Sequence, residues 1–205
     1  MLGIIDYQAG NMGSWKRLLK FIGCEFDIIK NKEDLDKCSK IILPGVGSFD
    51  SAIVELKRLN IYHSLSTKIK AGIPILGVCL GMQLLCESSE EGKSDGLSLI
   101  SAKARSLSSL SSKSIVIPHM GFNNIFNKDN ISSEFLLSAN NSDFYFLHSF
   151  CIQETNSLNA ECLYCEYEDI VFIAAFQIKN IYSTQFHPEK SGEIGISLVR
   201  TFINA

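Results

Sequence analysis

No stretch of this 205-residue sequence is both apolar enough and long enough to span a bilayer. Its opening, Met1-Leu2-Gly3-Ile4-Ile5-Asp6, lacks a basic leader and meets an acid too early for a signal peptide, so a cytoplasmic protein is expected. Basic residues are not gathered into blocks. The 19 Lys and Arg are scattered among 22 Asp and Glu, giving a formal net charge of -3 and no electrostatic footprint for nucleic acid or an anionic membrane. Small molecules or proteins are the expected partners. No repeat period or linker-like stretch interrupts the chain, and at 46% hydrophobic and 20% charged content it can bury an ordinary core. One domain, residues 1–205, is the expectation.

Cysteine is present but unpaired in number. Seven in a chain that does not look secreted argue for reduced thiols rather than a disulfide framework. Cys24, Cys38, Cys86 and Cys151 sit among apolar neighbours and read as small core residues. Cys162 and Cys165 have the spacing of a zinc or redox pair. They lack the second pair, or suitably placed histidines, that a four-ligand zinc site needs. Neither a metal nor a cofactor is expected, and these two residues have no assigned role.

What is there is an alternation of short apolar runs with amphipathic stretches. Leu2 to Ile5 predicts a strand, and Trp15, Leu18, Leu19 and Ile22, at i, i+3, i+4 and i+7, predict a helix. Phe26–Ile29, Lys40–Leu43 and Pro74–Val78 repeat the strand pattern, and Ala52–Leu59 and Leu80–Glu87 the helical one. Strands alternating with helices imply a mostly parallel sheet covered on both faces, an α/β fold. The later runs Ile115–Pro118, Phe144–Leu147 and Val171–Phe176, joined by Asn, Asp and Ser turns, predict an antiparallel extension. The Ser-rich patch Ser106–Ser114 predicts a surface loop. Ile196, Val199, Phe202 and Ile203 predict a closing helix.

One segment carries chemistry. Gly77-Val78-Cys79-Leu80-Gly81 joins the apolar run Ile73–Leu76 to the helix-like Met82-Gln83-Leu84-Leu85. A cysteine between glycines at a strand-to-helix turn is how an α/β protein lifts a nucleophile clear of its sheet. A thiol attacks well only when partly ionised, which a helix N-terminus and an imidazole both favour. Of the four histidines, His63, His119, His148 and His187, the last is best placed. In Thr184-Gln185-Phe186-His187-Pro188-Glu189 a proline separates it from a carboxylate two residues on, and in an extended segment i and i+2 point the same way. The alternative is an exposed loop histidine beside a turn proline; the elbow upstream tips the balance toward Cys/His/carboxylate acyl transfer. Such chemistry needs donors for a developing oxyanion, each worth about 3 kcal/mol of barrier. The backbone N–H of Leu80 supplies one, and the turn Pro44-Gly45-Val46-Gly47-Ser48 is placed to supply a second.

Taken together, Gly-Val-Cys-Leu-Gly-Met-Gln from Gly77, Gln-Phe-His-Pro-Glu-Lys-Ser-Gly from Gln185 and Leu-Pro-Gly-Val-Gly-Ser-Phe from Leu43 resemble the class I (triad) glutamine amidotransferases, from the first strand to the last helix. Ile5-Asp6-Tyr7, Gly10-Asn11, Pro118-His119-Met120-Gly121 and Tyr145-Phe146-Leu147-His148-Ser149 are similar to the glutaminase subunits of imidazole glycerol phosphate synthases within that family. The resemblance implies a flavodoxin-like fold, a triad of Cys79, His187 and Glu189, and an oxyanion site at Leu80 and Gly45-Val46-Gly47. It implies glutamine held by Gln83, Glu91, His148, Ser149 and Phe150. Gln83, one helical turn past Cys79, fits that role locally, whereas Glu87, Glu90 and Glu91 read equally as a solvated charge run.

The resemblance further implies a heterodimer with a (β/α)8 cyclase that receives ammonia, with Asn11, Pro118, His119, Met120, Gly121 and Phe122 near the interface. Two positions depart from the family: Phe122 where tryptophan is usual, which removes an indole donor, and Gln8 where glycine is common. Glutaminases of this kind also supply ammonia for aminating surface sugars, so that recipient stays open. So do a partner-independent cysteine hydrolase of similar fold and a non-catalytic protein that has kept the fold.

Overall fold

The computed structural model describes residues 1–7, 11–153 and 158–205. Gln8 and Gly10, both singled out in the sequence, lie outside the described residues. The first half of the chain alternates as its apolar runs predict: β1 (Leu2–Ile5), α1 (Met12–Phe21), β2 (Phe26–Ile29), α2 (Lys32–Asp36) and β3 (Lys40–Leu43). Two helices follow, α3 (Phe49–Arg58) and α4 (Tyr62–Lys70), then β4 (Ile75–Val78) and α5 (Leu80–Leu84). The second half is richer in strand, with β5 (Cys86–Ser89), β6 (Ile100–Ser106), α6 (Leu107–Leu110), β7 (His119–Ile125) and α7 (Glu134–Leu137). After β8 (Ser142–His148), β9 (Phe150–Ile152), β10 (Glu161–Tyr167), β11 (Ile170–Ile178) and β12 (Ile181–Thr184), a 3-10 turn at Pro188–Lys190 leads into α8 (Gly192–Asn204).

Seven strands form the central sheet in the order β10-β11-β12-β4-β3-β1-β2. β2, β1, β3, β4 and β12 run parallel, and β11 and β10 extend the sheet antiparallel. Successive side chains leave a strand on opposite faces, so each strand serves two cores. Ile42, Leu76 and Val78 pack into one with Trp15 of α1, Phe135 of α7 and Phe202 of α8. Ile41, Leu43 and Ile75 pack into the other with Phe49 and Leu56 of α3 and Leu65 of α4. With both faces covered, ligand access is left to the ends of the strands, and the turns after β3 and β4 lie at their carboxyl ends, where α/β sheets bind ligands.

Several expectations need correction. The helix from Leu80 stops at Leu84, because the carbonyls of Leu84 and Leu85 accept from the returning N–H groups of Leu97, Leu99 and Ile100. Cys86–Ser89 then pairs with β6 as a strand. Ile115–Pro118 is not a strand; pairing begins at His119, after the proline that has no N–H to give. Phe144–Leu147 lies in β8, which among the described residues pairs only with β7, in a separate two-stranded sheet, whereas Val171–Phe176, in β11, does extend the central sheet. The Ser-rich patch is not wholly loop: it contains α6, whose Leu107 is buried, before Asp169 accepts from the hydroxyls of Ser111 and Ser112. The sequence pattern also passed over α2 and α4. Cys162 and Cys165 point into opposite cores from β10, and among the described residues no cluster of His, Cys, Asp or Glu is placed to hold a metal ion.

Candidate active site

Cys79 stands at the turn between β4 and α5 with φ 53° and ψ -108°, a positive-φ backbone rare for a residue with a side chain. Its N–H donates to Thr184 O at 2.7 Å and its carbonyl accepts from Gln83 N at 3.2 Å, so β12 and α5 hold the turn from both sides. Gly81 allows it: a Cβ there would lie 1.9 Å from Leu43 O. Gly45 lets the neighbouring turn close in, since its Cβ would meet Leu80 Cβ at 2.6 Å and Gly81 N at 2.7 Å. The Tyr7 hydroxyl donates to Pro44 O and pins that turn from beneath. Burial, then the nearby Cys79 charge, hold the Tyr7 phenol well above its usual pKa, so it stays a donor. α5 is only five residues long, so its dipole is a minor source of field at the sulfur.

His187 and Glu189 flank Pro188, and Glu189 Oε1 lies 2.8 Å from His187 Nδ1 with both side chains almost sealed from water. The His187 N–H donates to Tyr145 O at 2.8 Å, and Ser191 Oγ donates to its carbonyl at 2.7 Å, which fixes the ring's approach. His187 Nε2 is buried and, among the described residues, has no partner at hydrogen-bonding geometry, although the Cys79 sulfur is near enough to act on the ring. Burial, the largest single influence on this imidazole, works to lower its pKa. The Cys79 sulfur and the Glu189 carboxylate together overcome it and push it up to about 10. The three side chains predicted from separate parts of the sequence therefore meet in one place.

In front of Cys79 lies a cavity of about 250 Å³, walled by Val46, Gly47 and Leu80 on one side and Leu147, His148, Ser149 and Phe150 on the other. Gln83 and Glu91 reach into it. The three-acid run of the sequence is thereby sorted. Glu87 accepts from Ser101 and Glu90 from Arg105, Ser106 and Ser109, whereas Glu91 accepts from Phe49 N at 2.9 Å and faces the cavity. Burial pushes the Glu91 carboxyl up, opposed by that N–H. Gln83 is spent partly on structure: its Nε2 donates to Phe150 O at 2.9 Å and to Gln185 Oε1 at 3.2 Å. Gln185 was not singled out from the sequence, although it sits two residues before His187; its Nε2 donates to Cys79 Sγ at 3.5 Å. Tyr7, in the sequence, stands out only as part of the Ile5-Asp6-Tyr7 motif.

The residues assigned by resemblance to a partner interface divide. Met120 and Phe122 are exposed, at 64% and 62%. Asn11 caps α1 through Ser14 N. Gly121, at φ 136°, lies between the two exposed side chains on β7. Pro118 is exposed as well and also lines the cavity, whereas His119 is turned inward at 3% exposure.

This fold and this site define a class. A sequence model of the family Glutamine amidotransferase class-I matches residues 3–204, and the chain belongs to that family. Imidazole glycerol phosphate synthase subunit HisH 2 of Methanococcus maripaludis is 44% identical over 208 residues, covering 99% of this chain and 98% of the relative. Imidazole glycerol phosphate synthase subunit HisH of Leptospira borgpetersenii is 41% identical over 207 residues, covering 98% of each. Among solved structures, a glutamine amidotransferase superposes with a TM-score of 0.76 at 16% identity, over 99% of this chain and 97% of that one. PurLQS from Thermotoga maritima does so at 0.73 and 19%, with the same coverage. At those identities the structures speak for the fold alone.

Proposed function

We propose that this chain, a single domain over residues 1–205, is the glutaminase subunit of an imidazole glycerol phosphate synthase. It hydrolyses glutamine to glutamate and passes the ammonia to a (β/α)8 cyclase in a cytoplasmic heterodimer. The observation that carries the chemistry is the meeting of Cys79, on a strained elbow, with the buried His187–Glu189 pair at the wall of a small cavity into which Gln83 and Glu91 reach. The full-length likeness to relatives named as HisH supports the choice of recipient over a sugar-aminating enzyme.

In this mechanism Cys79 Sγ attacks the side-chain amide carbon of glutamine, forming a C–S bond. The oxyanion is received by Leu80 N–H and the Gly45-Val46-Gly47 turn. His187 Nε2 gives its proton to the departing nitrogen as the C–N bond breaks, and ammonia leaves. A water then gives its proton to His187 and attacks the glutamyl thioester; the C–S bond breaks, releasing glutamate and restoring the thiolate–imidazolium pair. Glu189 holds the imidazole and stabilises its charge. Glu91 is matched to the substrate's ammonium group, and Gln83 with the Ser149–Phe150 wall to the rest of its amino-acid end. No helix among the described residues is long and apolar enough to cross a membrane.

The deciding experiment measures glutamate release by the purified chain, alone and with a histidine-pathway cyclase or a sugar aminase. Stimulation by the cyclase alone is the expected result. Stimulation only by the aminase reassigns the recipient, and full activity without any partner replaces the reading by a free-standing hydrolase.

A further inference from the structure

Two of the chain's four histidines meet in a place the triad does not use. His119 and His148 are register partners on β7 and β8, both nearly fully buried, with His119 Nδ1 2.9 Å from His148 Nε2. Their protons can be placed from the far end of the chain of bonds. His148 Nδ1 lies 2.9 Å from Phe150 O, and a carbonyl can only accept, so Nδ1 carries the hydrogen. In a neutral ring Nε2 is then an acceptor, and His119 Nδ1 must donate to it. His119 Nε2 is left as an acceptor, with Asn123 Nδ2 at 3.5 Å; that same amide donates to Glu166 O at 3.0 Å. The His119 ring is clamped between Tyr167 and Phe146, with centroids 4.1 Å and 4.9 Å away and nearly parallel planes.

The carbonyl at the end of this chain is the one Gln83 also holds, with Nε2 at 2.9 Å. Phe150 O thus takes two donors, one from the helix that follows the nucleophile and one from the histidine pair, and Phe150 and His148 both line the cavity. The geometry points to His119 and His148 as positioning residues of the glutamine pocket, whose hydrogen-bonded pair fixes the Phe150 carbonyl and with it the wall shared by Gln83. This rests on the glutaminase reading of the cavity. In this role His148 acts through Phe150, and His119 acts through His148. Burial lowers the pKa of His119 to about 4 and of His148 to about 3, so the donor–acceptor order survives at neutral pH. A protonated His148 has no acceptor for His119.

The test compares His119→Phe, which keeps a ring between Tyr167 and Phe146 but has no donor, with His119→Asn, whose Nδ2 can take the place of Nδ1. Because the pocket wall binds substrate and transition state alike, His119→Phe should raise the KM for glutamine about tenfold with kcat changed by less than about threefold. His119→Asn should recover most of the loss. An unchanged KM in a folded His119→Phe, or no recovery with His119→Asn, overturns the proposal. Side-chain 15N NMR of the unsubstituted chain is independent of activity and of variant folding: His148 should be a neutral Nδ1–H tautomer at pH 7. An Nε2–H tautomer or a charged ring refutes the pair even if glutamine is turned over. The expected tautomer in a chain with no glutaminase activity, alone or with the cyclase or the aminase, leaves the pair standing as a wall-fixing device and removes the glutaminase reading instead.

Discussion

His187 Nδ1 and Glu189 Oε1 are 2.8 Å apart across a single proline, with 1% and 2% of the two side chains exposed. Glu189 Oε2 has no hydrogen-bond partner, so the carboxylate's charge is directed at one imidazole and little else. Replacing Glu189 with Gln keeps the shape and removes the charge that stabilises an imidazolium beside Cys79. We expect kcat for glutamine hydrolysis to fall at least about a hundredfold, with KM little changed. Steady-state glutamate release in the complex measures it, and a loss within about threefold would take Glu189 out of the mechanism.

Gln185 is the residue that ties the substrate side of the site to the nucleophile. Its amide accepts from Gln83 and donates to the Cys79 sulfur, so a leucine of similar volume leaves both without their partner. Gln185→Leu should lower kcat/KM about tenfold, the weight of one hydrogen bond to a charged or buried group. The thermal midpoint should fall with it, because Gln83 is left buried and less satisfied. Unchanged kinetics would show that Gln185 is packing alone.

The parts of this protein written locally are the ones its sequence displays. Four-residue apolar runs mark β1 to β4, and a cysteine between glycines marks the elbow, because sheet burial and backbone crowding each restrict residue type at a fixed spacing. What needs a distant partner is invisible. Nothing around Leu84 announces that Leu97, Leu99 and Ile100 will return to take the last carbonyls of its helix, so a periodic pattern running to Glu87 misleads. Gln185 is one more polar residue in a β-rich run until Cys79 and Gln83, about a hundred residues earlier in the chain, are brought to it by the pairing of β4 with β12. His119, in a loop-like Pro-His-Met-Gly stretch, is buried because β8 places His148 opposite and Phe146 and Tyr167 stack on its ring. The triad was legible because each of its residues also sits in a distinctive local motif.

The buried histidine pair gives the fold an acid limit. For His119 and His148 the folded pKa values, about 4 and about 3, lie below the unfolded value near 6.5. Between those limits the unfolded chain binds the protons first, so stability is present above pH 6.5 and is lost as pH falls. The slope is about 1.4 kcal/mol per pH unit for each histidine. His187 works in the opposite direction: its raised pKa contributes stability present below about pH 6.5 and lost as pH rises through about 10. Urea unfolding midpoints should therefore drop between pH 6.5 and 4, and His119→Phe should show a shallower drop. An equal slope in that variant would mean that His119 titrates normally.

Phe122 has the opposite character to His119 on the same strand. It is 62% exposed, near Met120 at 64%, and meets Tyr145 edge-on at a 5.6 Å centroid distance. A large apolar pair left largely in water on β7 contributes little to the stability of the isolated chain, so substitution there should barely move the thermal midpoint. If the cyclase seats on this strand, an aspartate at position 122 must bring a charge into an apolar contact. Phe122→Asp should then weaken the association at least about tenfold by calorimetry, whereas Phe122→Trp adds area and an indole donor and should tighten it. Equal affinities for all three chains would place the docking face elsewhere, because a buried charge cannot be neutral at the centre of an apolar interface.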